Sequence, residues 1–277
     1  VVTLDTKRLI VFTDLDGTLL DQNTYSHRAS LPALRKLQAL KMPVILCSSK
    51  TRAEIEPLWH ELSLEDPFIV ENGGAICFTP DYFPSAVGNA RPDTKLYILE
   101  LGSRIGELRA GLAEAARRLH VRVRSFGDMN AAEIAELTGL TRHQAQAAAQ
   151  REYDEPFLID EPSRERMLAT ALRMRGFTVT KGDRFFHLSR GSDKGKAARL
   201  LMELYRKSGA ALMSVGLGNS ANDLPLLLAV ERPILIRNPD RSWDSTITQN
   251  IPGIRKTMTI GPDGWAESVE KLLAEIV

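Results

Sequence analysis

The sequence predicts an α/β protein with a parallel-sheet core and an inserted α/β cap, and three observations carry that expectation. Short apolar runs alternate with stretches of helical periodicity near both ends of the chain, the pattern of strand-helix-strand crossover units. Several of these runs stop at turns rich in Asp, Ser or Asn, at the sheet edge where open α/β folds bind ligands. Between them, the Pro80, Pro84 and Pro92 region, with Gly88 and Asn89, reads as a linker into a stretch where strands and helices alternate differently. The expected division is a first core part at 1–84, a cap at 85–188 and a second core part at 189–277.

A chain of 277 residues can bury a sizeable core in one large domain or two smaller ones. Lys and Arg number 36 against 35 Asp and Glu, so the net charge of +1 supplies no global field for nucleic acid or an anionic membrane. Any anion site must therefore be local. Cys47 and Cys77 lie in apolar stretches without Cys-x-x-Cys spacing, which fits buried free thiols better than a zinc site. With no apolar run of membrane-spanning length, a soluble cytoplasmic protein is expected.

The first element is the strand Arg8 to Phe12, apolar enough for a buried parallel strand. It runs into Thr13-Asp14-Leu15-Asp16-Gly17-Thr18-Leu19-Leu20. If extended geometry persists to Asp16, the period of two puts Asp14 and Asp16 on one face. Two carboxylates this close repel unless a cation or a proton lies between them. A hard dication such as Mg²⁺ suits an all-oxygen turn of this kind. The bland alternative is a strand-end turn with Asp capping backbone amides and Gly17 supplying a permissive φ.

Ser30 to Leu40 follows with Leu31, Leu34, Leu37 and Leu40 at helical spacing and Pro32 in the first turn. Pro43 to Cys47 is the second strand, ending in Ser48-Ser49-Lys50-Thr51. A hydroxyl there can donate to a phosphoryl oxygen at the opening of a helix from about Arg52, or can simply cap that helix. Pro67 to Val70 is a third strand. Its continuation, Glu71-Asn72-Gly73-Gly74, is either a ligand-side loop with close backbone approach or a plain hairpin turn.

In the middle region the expected elements are a strand at Lys95 to Leu101, a helix at Ile105 to Leu119 and a strand at Val121 to Phe126. Two short helices from Ala131 to Gln150, a strand at Pro156 to Ile159 and a helix at Arg164 to Arg175 come next. Phe177 to Thr180 and Phe185 to Leu188 form an expected hairpin over Lys181-Gly182-Asp183-Arg184. Arg151-Glu152-Tyr153-Asp154-Glu155 and His187 could meet a ligand, with cations on a carboxylate and Asp or Glu on sugar hydroxyls, or could be a solvated face and a core histidine.

The core pattern resumes with Gly191-Ser192-Asp193-Lys194-Gly195-Lys196, where Lys194 and free amides at a helix start could meet one anion. Ala211 to Val215 is a strand followed by Gly216-Leu217-Gly218-Asn219-Ser220-Ala221-Asn222-Asp223. Pro233 to Ile236 is the last expected strand, Gly261 to Gly264 a turn and Trp265 to Ile276 the closing helix.

Asp-x-Asp-Gly-Thr-Leu-Leu at 14–20, the hydroxyl at Ser48, Lys194 and the Asn219 to Asp223 turn occur in an order that resembles the four motifs of the haloacid dehalogenase-like phosphatases. The resemblance implies a Rossmann-like core, Mg²⁺, Asp14 as nucleophile forming an aspartyl-phosphate and Asp16 as acid and base. It further implies that Ser48 donates to phosphate, that Lys50 contacts substrate nearby and that Lys194 binds the nucleophile and the phosphoryl group. Position 219 departs from the usual Gly-Asp-x-x-Asn-Asp motif. Asn219 and Asp223 would complete a metal set with Asp14 and Asp16, but an amide brings no negative charge.

Val70-Glu71-Asn72-Gly73-Gly74, Leu137-Thr138-Gly139-Leu140-Thr141, Arg151 to Pro156 and Gly182 to His187 together look like the mannosyl-3-phosphoglycerate phosphatase family. That likeness implies a phosphate ester of a glycosyl phosphoglycerate as substrate. Glu71, Asn72, Gly73, Arg151, Asp154, Glu155 and His187 would then be binding residues. A glucosyl-3-phosphoglycerate or other sugar phosphatase shares the logic. A noncatalytic phosphosugar-binding protein with a weakened metal site is the alternative that Asn219 raises.

Overall fold

A computed structural model describes residues 8–83, 87–182 and 184–276. Pro84 and Ser85 of the expected linker and domain boundary, and Asp183 of the expected hairpin turn, lie outside the described residues.

The chain begins with β1 (Arg8–Thr13), α1 (Leu31–Ala39), β2 (Val44–Leu46) and α2 (Arg52–Glu61). Leu9 and Val11 pack in one apolar cluster, whereas Ile10 and Phe12 pack in another. That is the alternation of a strand covered on both faces. Pro32 occupies the first turn of α1, where a missing N–H costs nothing. Thr51 and Glu54 start α2 with a reciprocal capping box.

A second sheet follows from β3 (Phe68–Val70), β4 (Ala75–Phe78), β5 (Arg91–Asp93) and β6 (Leu96–Glu100), in the order β3-β4-β6-β5. The strand expected at Lys95 to Leu101 therefore does not open the cap sheet: it pairs antiparallel with β4. The pairing has a packing reason, because Ile98 and Leu96 join the same apolar cluster as Phe68, Val70 and the core. A bridge between Cys47 and Ile69 links this sheet to the end of β2.

The cap region comprises α3 (Ile105–Leu119), β7 (Val123–Ser125), α4 (Ala131–Thr138), α5 (Arg142–Ala148), β8 (Glu155–Ile159), α6 (Glu165–Met174), β9 (Thr178–Lys181) and β10 (Phe186–Ser189). Its four strands form an antiparallel sheet, β7-β8-β10-β9, and β9 with β10 is the expected hairpin. Leu108 and Leu112 of α3 meet Leu168 and Leu172 of α6 over Phe157 and Leu188.

The return to the core brings α7 (Lys194–Lys207), β11 (Leu212–Gly218), α8 (Leu224–Leu227), β12 (Arg232–Arg237), α9 (Ser245–Asn250), β13 (Arg255–Ile260) and α10 (Gly261–Ile276). The core sheet is parallel throughout, in the order β13-β12-β11-β1-β2. Three expectations change here. β13 is an unexpected edge strand, its apolar signal weakened because only Thr257 on it is buried. Gly261 to Gly264 is the first turn of α10, with Pro262 at a position that needs no N–H donor. Helix α7 starts at Lys194, ahead of the helix from Ala197 to about Arg206 that the apolar spacing suggests, because the Asp193 carboxylate accepts the Lys196 N–H at 2.8 Å. Among the described residues, no helix is long and apolar enough to cross a membrane.

Candidate active site

β1 and β11 are neighbours at the middle of the core sheet, with Thr13 opposite Leu217, so the turns that follow them emerge side by side. Extended geometry ends at Thr13, so the condition that would put Asp14 and Asp16 on one strand face is not met. The chain instead folds back, with Thr18 N–H donating to Leu15 O at 3.1 Å and Gly17 N–H to Leu20 O at 2.9 Å. Thr13 fixes the start of this turn: its hydroxyl donates to Asp14 O at 2.7 Å and accepts from Trp265 Nε1 at 3.0 Å. Asp14 and Asp16 thus share a turn, and both border one cavity of about 950 Å³ between core and cap.

Lys194 stands at the centre of the charge arrangement. Its ammonium, fully enclosed, donates to Asp14 Oδ1 and Asp223 Oδ1, each at 2.6 Å. Burial alone would pull the lysine toward neutrality, but the two carboxylates outweigh it and hold Lys194 charged, well above its ordinary range. Asp14 moves the other way, up to about 7, because burial and the Asp223 charge together exceed the pull of Lys194. Asp223 turns its second oxygen to the N–H groups of Asn219 at 3.0 Å and Ser220 at 3.1 Å. This close return needs Gly218, where a Cβ would sit 2.5 Å from the Asp223 Cβ.

Asp16 Oδ2 pairs with Lys50 Nζ at 2.8 Å, whereas Asp16 Oδ1 is buried without a partner. Desolvation opposes the charge on Lys50, and Asp16 with Glu54 restores it, so its titration lies above the ordinary lysine value. Lys50 is accordingly a partner of Asp16, not of the cavity. Ser48 is buried beside it; its Oγ accepts the Lys50 N–H at 3.2 Å, which leaves the hydroxyl proton available. Asn219 Oδ1 accepts from the Thr18 hydroxyl at 3.2 Å.

Among the described residues, no three carboxylate, imidazole or thiol side chains gather as a metal-binding group. The oxygen-only set still fits a hard dication: Asp14 has a second carboxylate oxygen, among the described residues no backbone N–H reaches the main-chain carbonyl of Asp16, and Asn219 adds an amide oxygen, while the orphaned Asp16 Oδ1 stays open to a proton. Asp223, expected as a further ligand, has its oxygens engaged: Oδ1 accepts from Lys194 and Oδ2 from two backbone amides.

Several residues expected to bind substrate are placed elsewhere. Glu71 is fully buried, and its carboxylate accepts backbone N–H groups of Glu152 at 2.9 Å, Tyr153 at 2.8 Å and Asp154 at 2.8 Å. Its capacity is spent on holding the cap to the core, and burial pushes its carboxyl up to about 7. Arg151 donates to Ser49 O at 2.8 Å and Ala148 O at 2.9 Å, a second tie between the two parts. Glu155, fully buried, accepts from Gly127 N–H at 2.7 Å and Arg109 Nε at 3.1 Å inside the cap. Asp154 is enclosed as well, and meets His187 Nδ1 at 2.7 Å.

His187 and Asn72 border the cavity as expected. Asn72 is held in the left-handed region (φ 55°) on the turn between β3 and β4, so the hairpin and the ligand-side loop are the same structure. Gly73 beside it has φ +94°, and a Cβ there would lie 2.2 Å from Asp193 O, directly before Lys194. The cavity wall also contains Arg173, Lys181, Ser49 and Asn238, which the sequence reading did not single out. Only Lys181 carried a signal, its place at the tip of the expected hairpin.

A family profile described as haloacid dehalogenase-like hydrolase matches residues 11–91. The chain is 38% identical over 269 residues to the glucosyl-3-phosphoglycerate/mannosyl-3-phosphoglycerate phosphatase of Methanococcoides burtonii, across 96% of this chain and 97% of that protein. It is 36% identical to the Persephonella marina protein of the same name, across 97% of this chain and 98% of that one. Among solved structures, a Thermoplasma acidophilum protein shares the fold with a TM-score of 0.64 at 20% identity, covering 98% of each chain. A sugar phosphatase of haloacid dehalogenase subclass IIB does so with a TM-score of 0.65 at 15% identity, covering 97% of this chain and 100% of that one. The motif order, the parallel core and these near full-length relatives agree: the chain belongs to the haloacid dehalogenase-like hydrolases, in the family of glucosyl-3-phosphoglycerate/mannosyl-3-phosphoglycerate phosphatases.

Proposed function

We propose that this protein hydrolyses the phosphate monoester of mannosyl-3-phosphoglycerate or its glucosyl counterpart, with Asp14 as the nucleophile. The observation that supports this most directly is the Asp14–Lys194–Asp223 chain, whose Asp14 end borders a cavity walled by the cap. An Asp14 oxygen attacks phosphorus, the bond from phosphorus to the glycerate oxygen breaks, and Asp16 gives that oxygen its proton. Asp16 then takes a proton from water as the water attacks the aspartyl-phosphate, which releases inorganic phosphate and restores Asp14. Lys194 draws Asp14 toward its ionised form against burial and the Asp223 charge and meets charge on the phosphoryl oxygens, and Ser48 can donate to one of them.

The Asp14 carboxylate, the main-chain carbonyl of Asp16 and the Asn219 amide oxygen would hold Mg²⁺, which when bound supplies positive charge to the phosphoryl group and leaves the Asp16 carboxyl free for the proton. His187, fixed through Nδ1 by Asp154, together with Arg173 and Lys181 gives the cap wall groups suited to sugar hydroxyls and a carboxylate.

The test is phosphate release from mannosyl- and glucosyl-3-phosphoglycerate, with simple sugar phosphates as controls, in Mg²⁺ and in chelator. The expected result is metal-dependent release from at least one glycosyl phosphoglycerate, abolished in Asp14→Asn while the melting temperature is retained. Brief reaction followed by acid quench should leave a phosphate mass on the peptide containing Asp14. Full activity in Asp14→Asn, or no release from either substrate, would overturn the reading.

A further inference from the structure

An amide in place of a carboxylate creates a problem of orientation. The two oxygens of Asp are interchangeable, whereas Asn presents either an oxygen or an N–H₂ group, and only the oxygen binds a cation. Asn219 is nearly enclosed, at 5% exposure, so its orientation is set by neighbours and not by solvent.

The neighbours determine it step by step. The main-chain carbonyl of Asn219 can only accept, and Asn238 Nδ2 donates to it at 3.3 Å. That commits the nitrogen of Asn238 and leaves its Oδ1, which can only accept, against the Asn219 side chain. Asn219 Nδ2 donates to this oxygen at 2.9 Å. Asn219 Oδ1 is thereby turned to the Thr18 hydroxyl, at 3.2 Å, in the turn that carries Asp14 and Asp16. Asn238 is itself anchored immediately after β12: its N–H donates to Ser242 O at 3.0 Å, and its carbonyl accepts from Arg241 N–H at 2.9 Å. Gly17 leaves the space for this arrangement, since a Cβ there would lie 2.6 Å from Asn219 Nδ2.

We infer that Asn238 is a positioning residue: it holds the nitrogen of the Asn219 amide and thereby keeps Oδ1 available to a divalent cation. The inference rests on the reading that Asn219 helps to hold that cation. It makes a distinctive statement about a pair of substitutions, because a carboxylate at 219 has no wrong orientation to prevent.

The experiment is a Mn²⁺ titration of the full chain, followed by electron paramagnetic resonance, for the wild type, Asn238→Leu, Asn219→Asp and the double variant. Melting temperatures in chelator report folding, and Asn238→Ala replaces the Leu variant throughout if that variant does not fold. In the wild-type background, loss of Asn238 should weaken Mn²⁺ binding by about tenfold, the usual scale for removing a group that orients a ligand. In the Asn219→Asp background the same change should leave affinity within about twofold, the ordinary error of such cycles. Equal losses in both backgrounds, or no loss in either, would overturn the inference and leave the cation reading intact. A wild-type chain that binds no Mn²⁺ would overturn the cation reading, and this inference with it.

Discussion

Replacing Lys194 by Met removes a cation that two enclosed carboxylates share while keeping much of the side-chain volume. Taking one partner from a buried ion pair costs about 3–5 kcal/mol, a large part of the roughly 5–15 kcal/mol that holds a typical domain together. The cost should depend on pH in a definite direction. Asp14 already titrates at about 7 in the folded wild type, against 3.8 for the unreacted side chain. An acid raised in this way holds its proton more tightly when folded, so stability is highest below the unfolded value and falls as pH rises through the folded one.

Without Lys194, burial and the Asp223 charge act on Asp14 unopposed, and its folded value rises past 7. Below pH 7 both proteins then carry a protonated Asp14, and the deficit of the variant stays level. Above pH 7 only the variant retains that proton, and its deficit grows by about 1.4 kcal/mol per pH unit. Urea unfolding of both proteins at pH 6, 7.5 and 9, in chelator, measures this. Placing Asp14→Asn in both backgrounds should abolish the growth above pH 7. A deficit that is flat or shrinking across that range, or growth that persists without Asp14, would refute the reasoning.

Three further substitutions probe the surroundings of the site. Gly73→Ala places a Cβ against Asp193 O at a positive φ; unfolding measurements should show a loss of about 1–3 kcal/mol, and turnover should fall because Lys194 follows Asp193. Glu71→Ala leaves three N–H groups, two of them enclosed, without their acceptor and should cost about 3 kcal/mol or more, with faster proteolysis between core and cap; Glu71→Gln, which keeps one oxygen, should lose less. His187→Ala should raise KM for a glycosyl phosphoglycerate by about tenfold with kcat little changed, the mark of a lost binding contact.

The parts of the site that sequence revealed are those encoded within a few residues of one another. Asp14 and Asp16 follow a doubly covered apolar strand, Lys194 opens a capped helix, and Asp223 lies five residues beyond Gly218, so local pattern and local structure coincide. The roles of Glu71, Arg151 and Asp154 were not legible because charged residues in a loop look alike whether they face a ligand or a second part of the chain. Only their long-range partners, such as Glu71 with the 152–154 backbone, separate those cases. Asn238 gave no signal, since Asn-Pro-Asp reads as an ordinary turn until β12 is placed beside β11. β13 escaped notice for a related reason: an edge strand needs few apolar residues, and Thr257 alone points inward.

The neutral side chain at 219 also alters what an arriving phosphate meets. With every group ionised, Asp14, Asp16 and Asp223 oppose Lys50 and Lys194, which leaves the floor of the cleft one unit negative. A divalent cation bound there turns the sum to one unit positive, where a fourth carboxylate would have made it zero. At about 4 Å and an effective dielectric near 20, one such unit is worth about 4 kcal/mol against each opposing charge. In the proposed reaction an amide at 219 would therefore loosen the grip on the metal and strengthen the welcome for a doubly ionised ester, so the pH at which the substrate sheds its second proton would become part of the selectivity.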